Sequence, residues 1–232
     1  HEGKVVVVDF YTSWCPPCKA LDSRTWPDPS VRAWIDQKAV AIKVDAEKET
    51  ALASRYRVGA YPTILIVKAD GTEIDRIVGF REAAALLSEA GDALAGRDSV
   101  SRARAALAVE GASSPMARMR LADALVTKGR YAEALAEYLW CFDHGLEHDA
   151  AFVGVRGSFL VGAIARLGGG HPPALDALRE RRDAAEAALG AKTATRQLAA
   201  DVVVLNGALE EHDRTLAAFD ALVARGAAGA EA

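Results

Sequence analysis

The chain has 232 residues, 28 basic against 32 acidic side chains, a formal net charge of −4, and 51% hydrophobic residues. That length suffices for two cores of ordinary domain size. The charge balance offers no basic stripe for nucleic acid, no apolar run approaches the ~20 residues that span a bilayer, and three cysteines cannot fill a four-cysteine zinc site.

The first element is an apolar strand, Val5 to Val8 with Asp9 and Phe10. It leads into Trp14-Cys15-Pro16-Pro17-Cys18-Lys19, a C-x-x-C pair where a helix should begin. Two cysteines at that spacing can close a small disulfide, and a helix N-terminus favours the thiolate of the first. Val40 to Asp45 reads as a second strand, and Val58-Gly59-Ala60-Tyr61-Pro62-Thr63 leads into a third over Ile64 to Val67. Asp70-Gly71 is a hairpin signal before a fourth strand, Ile74 to Val78, closed by Gly79.

This order resembles thioredoxin over roughly Val5 to Leu94. The family's buried Asp, six residues before the first cysteine, is matched by Asp9; its Trp before that cysteine by Trp14; and its cis-proline facing the disulfide by Pro62. Lys43 fits the family's Lys near that Asp. More narrowly, Thr25-Trp26-Pro27-Asp28-Pro29-Ser30-Val31 resembles a segment of the C-terminal domain of the thiol:disulfide interchange protein DsbD and of small secreted thioredoxins. One departure stands out: the strand and helix that precede the family's first central strand are missing, since His1 lies four residues before Val5. The chain opens with no signal-like stretch, which reads as a mature or trimmed form.

The chemistry follows from the residues themselves. Cys15, exposed at the helix start, would attack a client disulfide as thiolate, and Cys18, shielded one turn in, would resolve the mixed disulfide. A carboxyl buried among valines has a raised pKa, so Asp9 could relay a proton to or from Cys18. Pro16 and Pro17 suit the first helical turn but remove two N–H donors from the Cys15 sulfur, which then leans chiefly on the Cys18 amide. With Pro62 cis, as the resemblance implies, Trp14, Gly59, Ala60 and Tyr61 would form a shallow apolar groove for an extended client segment. For Trp14 a place in the core is the competing reading.

After about Gly96 strand-like runs disappear and Ala and Leu dominate. The division expected is a thioredoxin-like α/β domain over 1–97 and an all-helical domain over 98–232. Helices are predicted over Val100 to Val109, Met116 to Thr127, Tyr131 to Phe142, Ala150 to Leu167, Ala174 to Leu189, Thr193 to Glu210 and Asp213 to Arg225. Leu121-Ala122, Leu125, Gly129, Tyr131, Ala134-Leu135, Tyr138 and Cys141 resemble a tetratricopeptide repeat, with a degenerate copy around Val202 to Leu209 and Leu216 to Leu222. Gly154, Gly157 and Gly162 predict close helix contact along the long helix between them. Cys141, His144 and His148 fall at i, i+3 and i+7, a metal-competent spacing on one helix face. Gly145 is expected to end that helix and Cys141 to pack as a small hydrophobe, so no metal is predicted. His171 and His212 are read as surface residues.

Together these readings predict a protein-disulfide oxidoreductase serving cell redox homeostasis through a Cys15/Cys18 dithiol–disulfide cycle. It would need no cofactor beyond that disulfide. Its partners would be protein thiols and disulfides, a redox protein donating or accepting electrons, and a peptide or protein ligand of the helical domain, with no nucleic acid. The alternative is a tetratricopeptide-type adaptor or co-chaperone in which the thioredoxin part is auxiliary. The resemblance to DsbD points to a bacterial protein in the periplasm, whereas the odd Cys141 argues for a reducing compartment such as the cytoplasm.

Overall fold

The structure, a computed structural model, describes residues 3–189 and 195–230, with side chains to residue 224. His1 and Thr193, two positions named above, and the side chain of Arg225 lie outside the described residues. The chain divides into two compact units, His1–Arg102 and Ala103–Ala232.

The first unit is built on a mixed sheet of four strands: β1 (Val5–Tyr11), β2 (Ala39–Asp45), β3 (Thr63–Val67) and β4 (Glu73–Val78), in the order β2-β1-β3-β4. β1 runs parallel to β2 and antiparallel to β3, so Asp9 lies in register between Lys43 and Ile64. The β3–β4 hairpin turns through Asp70-Gly71, where Gly71 takes a φ of +83° that a side chain would strain. Strand residues alternate between two apolar layers. Val7, Ile64 and Ile77 pack with Leu21, Val31 and Leu86 on one face. Val8, Phe10 and Leu65 pack with Val44 and Ala53 on the other.

The helices of this unit are α1 (Pro16–Ala20), α2 (Pro29–Lys38), α3 (Thr50–Arg55) and α4 (Ala83–Leu94). A π-helical turn, Leu21–Thr25, continues α1. α2 starts at an Asp28 cap that accepts from Ser30 N at 2.8 Å, with Pro29 in the first turn. α5 (Ser99–Glu110) crosses the division between the units.

In the second unit α6 (Pro115–Thr127) and α7 (Tyr131–His148) form a helical hairpin around Gly129, whose φ is +73°. Its buried seam is Leu121, Ala122 and Leu125 against Ala134, Leu135, Tyr138 and Cys141. Two expectations fail here. α7 does not end at Gly145: it runs on to His148, and the glycine answers to packing, since the ring of Phe152 comes within 2.7 Å of where a Cβ at position 145 would sit. The stretch 150–168 is one continuous helical run, as expected, but it changes type along its length: a 3-10 turn (Ala150–Phe152), α8 (Val153–Val155), a π turn (Arg156–Leu160) and α9 (Val161–Gly168). Its close approaches also differ from those expected. A Cβ at Gly154 would meet nothing within 4 Å, at Gly157 only Val204 at 3.8 Å, and at Gly162 only the flexible Arg166 side chain. Gly168 instead abuts Leu175, whose Cγ lies 2.4 Å from the Cβ position.

The same stretch corrects the reading of bilayer-length segments. Ala150–Gly168 is long and apolar enough to cross a membrane, with a mean hydropathy of 1.5. It holds the buried Arg156, however, which pairs with Asp201 and donates to the Phe142 carbonyl at 2.8 Å. α10 (Pro173–Leu189), α11 (Arg196–Ala208) and α12 (His212–Ala230) complete the unit.

Candidate active site

β1 ends beside the start of α1, and the link between them carries the cysteines. Cys15 caps the helix in an extended conformation, its N–H donating to the Thr12 carbonyl at 3.3 Å, and Pro16 and Pro17 fill the first turn. Cys15 and Cys18 are joined, with S–S 2.07 Å and Cα–Cα 5.3 Å. The Cys18 N–H donates to Cys15 Sγ at 3.2 Å. The expectation of an exposed Cys15 does not hold in this oxidised state: Cys15 is 2% exposed and Cys18 3%.

The surroundings of the disulfide are open. Trp14 is 63% exposed, not part of the core; its Nε1 donates to Glu47 at 3.0 Å and its ring meets Tyr61 edge-on at 6.1 Å. Gly59 and Ala60 are exposed, Tyr61 is half-buried and Pro62 buried. The Tyr61–Pro62 peptide is cis. Thr63 Oγ1 donates to the Ala60 carbonyl at 2.7 Å, and the Pro62 carbonyl accepts from Gly79 N at 2.8 Å, tying this loop to the sheet.

Asp9, 5% exposed, has a pKa pushed up to about 6, chiefly by burial. A hydrogen bond from Trp26 and the charge of Lys43 oppose that rise, while Asp22 adds to it. Asp9 Oδ2 accepts from Trp26 Nε1 at 3.0 Å, and Oδ1 is buried without a hydrogen-bond partner. Lys43 is ion-paired with Asp22, not with Asp9, and its Nζ lies 4.5 Å above the Tyr11 ring. Asp22 sits one helical turn beyond Cys18, which lets it reach across to β2 and take the lysine. Beside these groups is a cavity of about 280 Å³, walled by Val7, Ile35, Ala41 and Ile42 and lined also by Asp9, Asp22, Trp26 and Lys43.

Trp26, Asp22 and Glu47 carry no role in the sequence reading. The signals on offer were the i, i+4 spacing of Cys18 and Asp22 and the place of Trp26 in the DsbD-like segment Thr25 to Val31. In the helical unit Cys141 is fully buried, its Sγ 3.3 Å from the Pro115 carbonyl, and burial pushes its pKa up to about 12. His144 and His148 lie instead on Trp140, at ring distances of 5.6 and 5.5 Å. Among the described residues no three His, Cys, Asp or Glu side chains converge as a metal site.

A disulfide of two nearby cysteines at a helix start, over a sheet and beside a cis-proline loop, is built to exchange with thiols, and it marks the first unit as a thiol–disulfide oxidoreductase. Residues 1–93 match the model of the thioredoxin-like domain. Thioredoxin of Echinococcus granulosus is 38% identical over 80 residues, 34% of this chain and 70% of that one. Thioredoxin of Mycolicibacterium smegmatis is 40% identical over 93 residues, 40% and 80% of the two chains. Among solved structures, the C-terminal domain of Neisseria meningitidis DsbD in the oxidised form is 29% identical with a TM-score of 0.36, covering 40% of this chain and 82% of that one. The sequence relatives carry the assignment: the chain belongs to the thioredoxin family.

Proposed function

We propose that the protein exchanges disulfides with client proteins through Cys15 and Cys18, and that the helical unit binds the client or a redox partner. In the reducing direction the Cys15 thiolate attacks one sulfur of a client disulfide, forming a mixed disulfide and releasing the other client sulfur as a thiolate. Cys18, losing its proton to Asp9, then attacks Cys15 Sγ; the intramolecular disulfide closes and the second client thiolate leaves. Two electrons pass to the client, and the reverse sequence oxidises it.

The observation that carries this reading is the Cys15–Cys18 disulfide with Cys18 N–H on the Cys15 sulfur and the cis Tyr61–Pro62 peptide nearby. Trp14, Pro16, Pro17, Gly59, Ala60 and Tyr61 form the client groove, where an extended segment pairs with backbone beside Pro62. Lys43, with Asp22, sets the charge around Asp9.

The α6–α7 hairpin, packed through small residues at Ala122, Ala134 and Cys141, supports a tetratricopeptide-like role in binding peptides or proteins. The periplasm fits this reading. The buried Cys141, held protonated, can persist as a free thiol in an oxidising compartment, so it no longer argues against one.

Insulin reduction by the full chain, with Cys15→Ser as control, tests the activity. Turnover that disappears in the variant supports it; no turnover in either protein leaves the adaptor reading in its place.

A further inference from the structure

Trp26 lies one residue past the π turn, and its position is fixed from several sides. Its N–H donates to the Leu21 carbonyl at 2.9 Å. The preceding Thr25, fully buried, donates Oγ1 to the Arg81 carbonyl at 2.5 Å, and Asp28 follows as the cap of α2. A π turn holds one residue more than an α turn, and each helical residue advances about 100°. The side chain after it is thus swung away from where an α-helical continuation would place it. Here that side chain is an indole, and its Nε1 reaches Asp9 Oδ2 on β1 at 3.0 Å.

We propose that Trp26 is a positioning residue for proton transfer at Asp9: it occupies Oδ2 and reserves Oδ1 as the oxygen that takes and gives the proton. This rests on the relay role given to Asp9 above. An indole N–H only donates, and the carbonyl oxygen of a protonated carboxyl is a better acceptor than its hydroxyl, so that bond favours the proton on Oδ1. The favoured oxygen, Oδ1, has no partner and belongs to a carboxyl that lines the cavity of about 280 Å³. A donor to the ionised form also works against burial and lowers the pH at which Asp9 ionises. Of the charged groups facing Asp9, Lys43 on β2 acts in the same sense and Asp22 in the π turn in the opposite one.

Trp26→Phe in the full chain removes the donor and keeps an aromatic ring. Benzothienylalanine at position 26, with sulfur in place of the N–H, serves as a second variant of nearly unchanged shape. Carbon NMR of the Asp9 carboxyl, identified by its loss in Asp9→Asn, follows the titration in the oxidised protein. The midpoint is expected to move up by about one unit, the worth of one hydrogen bond to a charged group. In the reduced protein the pH profile of mixed-disulfide resolution should move with it, about fivefold slower near pH 6 and converging with wild type above about pH 8. An unmoved midpoint in a folded variant overturns the assignment, and so does an equal slowing at every pH. The titration needs no turnover. A moved midpoint in a protein that fails to reduce insulin would therefore support the hold of Trp26 on Asp9 while overturning the oxidoreductase reading and, with it, the proton-transfer role.

Discussion

The backbone N–H of Cys18 donates to the Sγ of Cys15 across 3.2 Å, and it is the first amide able to do so, because Pro16 and Pro17 between them have none. In the reduced protein a Cys15 thiolate has this one near amide and the dipole of a short helix to stabilise it. Pro16→Gly restores a donor. The Cys15 pKa should fall by about one unit and the couple become about 30 mV more oxidising. Ultraviolet titration of the thiolate and equilibration with glutathione read both quantities, and a wild-type pKa below that of the variant would refute the argument.

Asp9→Asn should slow resolution of the mixed disulfide while leaving its formation intact, by about 10²-fold or more if proton transfer is general base catalysis. Wild-type resolution should itself slow as the pH falls below about 6, where Asp9 takes up its proton. Rapid mixing with a disulfide peptide, quenched by alkylation, separates the two steps. Unchanged resolution kinetics in Asp9→Asn would remove the carboxyl from the mechanism.

The same carboxyl shapes stability. The native state holds Asp9 protonated up to about pH 6, whereas the unfolded chain releases that proton near pH 4. Between these values the native state binds more protons, so the contribution of Asp9 to stability falls as the pH rises through the window and stays lower above it, by about 3 kcal/mol at most. Asp9→Asn should therefore unfold at a higher temperature than wild type at pH 8, with little difference near pH 4. Calorimetry at the two pH values checks the sign.

In the helical unit two glycines should respond oppositely to alanine. Gly145→Ala drives a methyl group into Phe152 and should cost about 1–3 kcal/mol. Gly154→Ala meets open space within a helical turn and should stabilise by about 0.5–1 kcal/mol. Thermal unfolding of the two variants orders them, and equal behaviour would contradict the packing described around Phe152.

The strands were legible because Val and Ile runs alternate between two buried faces and Asp70-Gly71 marks the hairpin. Asp9, Trp14 and Pro62 could be singled out through the thioredoxin resemblance, which places a buried Asp, a Trp and a cis-proline at these positions. What escaped the reading was tertiary. Nothing local tells Lys43 to pair with Asp22 across 21 residues, or Trp26 to reach Asp9 across 17. Gly145 looked like a helix terminator because glycine often is one, but its smallness makes room for Phe152, seven residues on, which no local pattern announces. The burial of Cys15 likewise depends on neighbours distant in the sequence. The helices 29–38 and 83–94 carry few local marks beyond the Asp28-Pro29 start.

The sealing of Cys141 behind Pro115 has a practical side. Alkylating reagents applied to the reduced, folded protein should find the sulfurs of the redox pair, the outer Cys15 first, and Cys141 only in denaturant. With Cys18→Ser, Cys15 would be the sole reactive handle, so any covalent adduct isolated from cell extracts reports its capture of a client and not a stray reaction in the helical half.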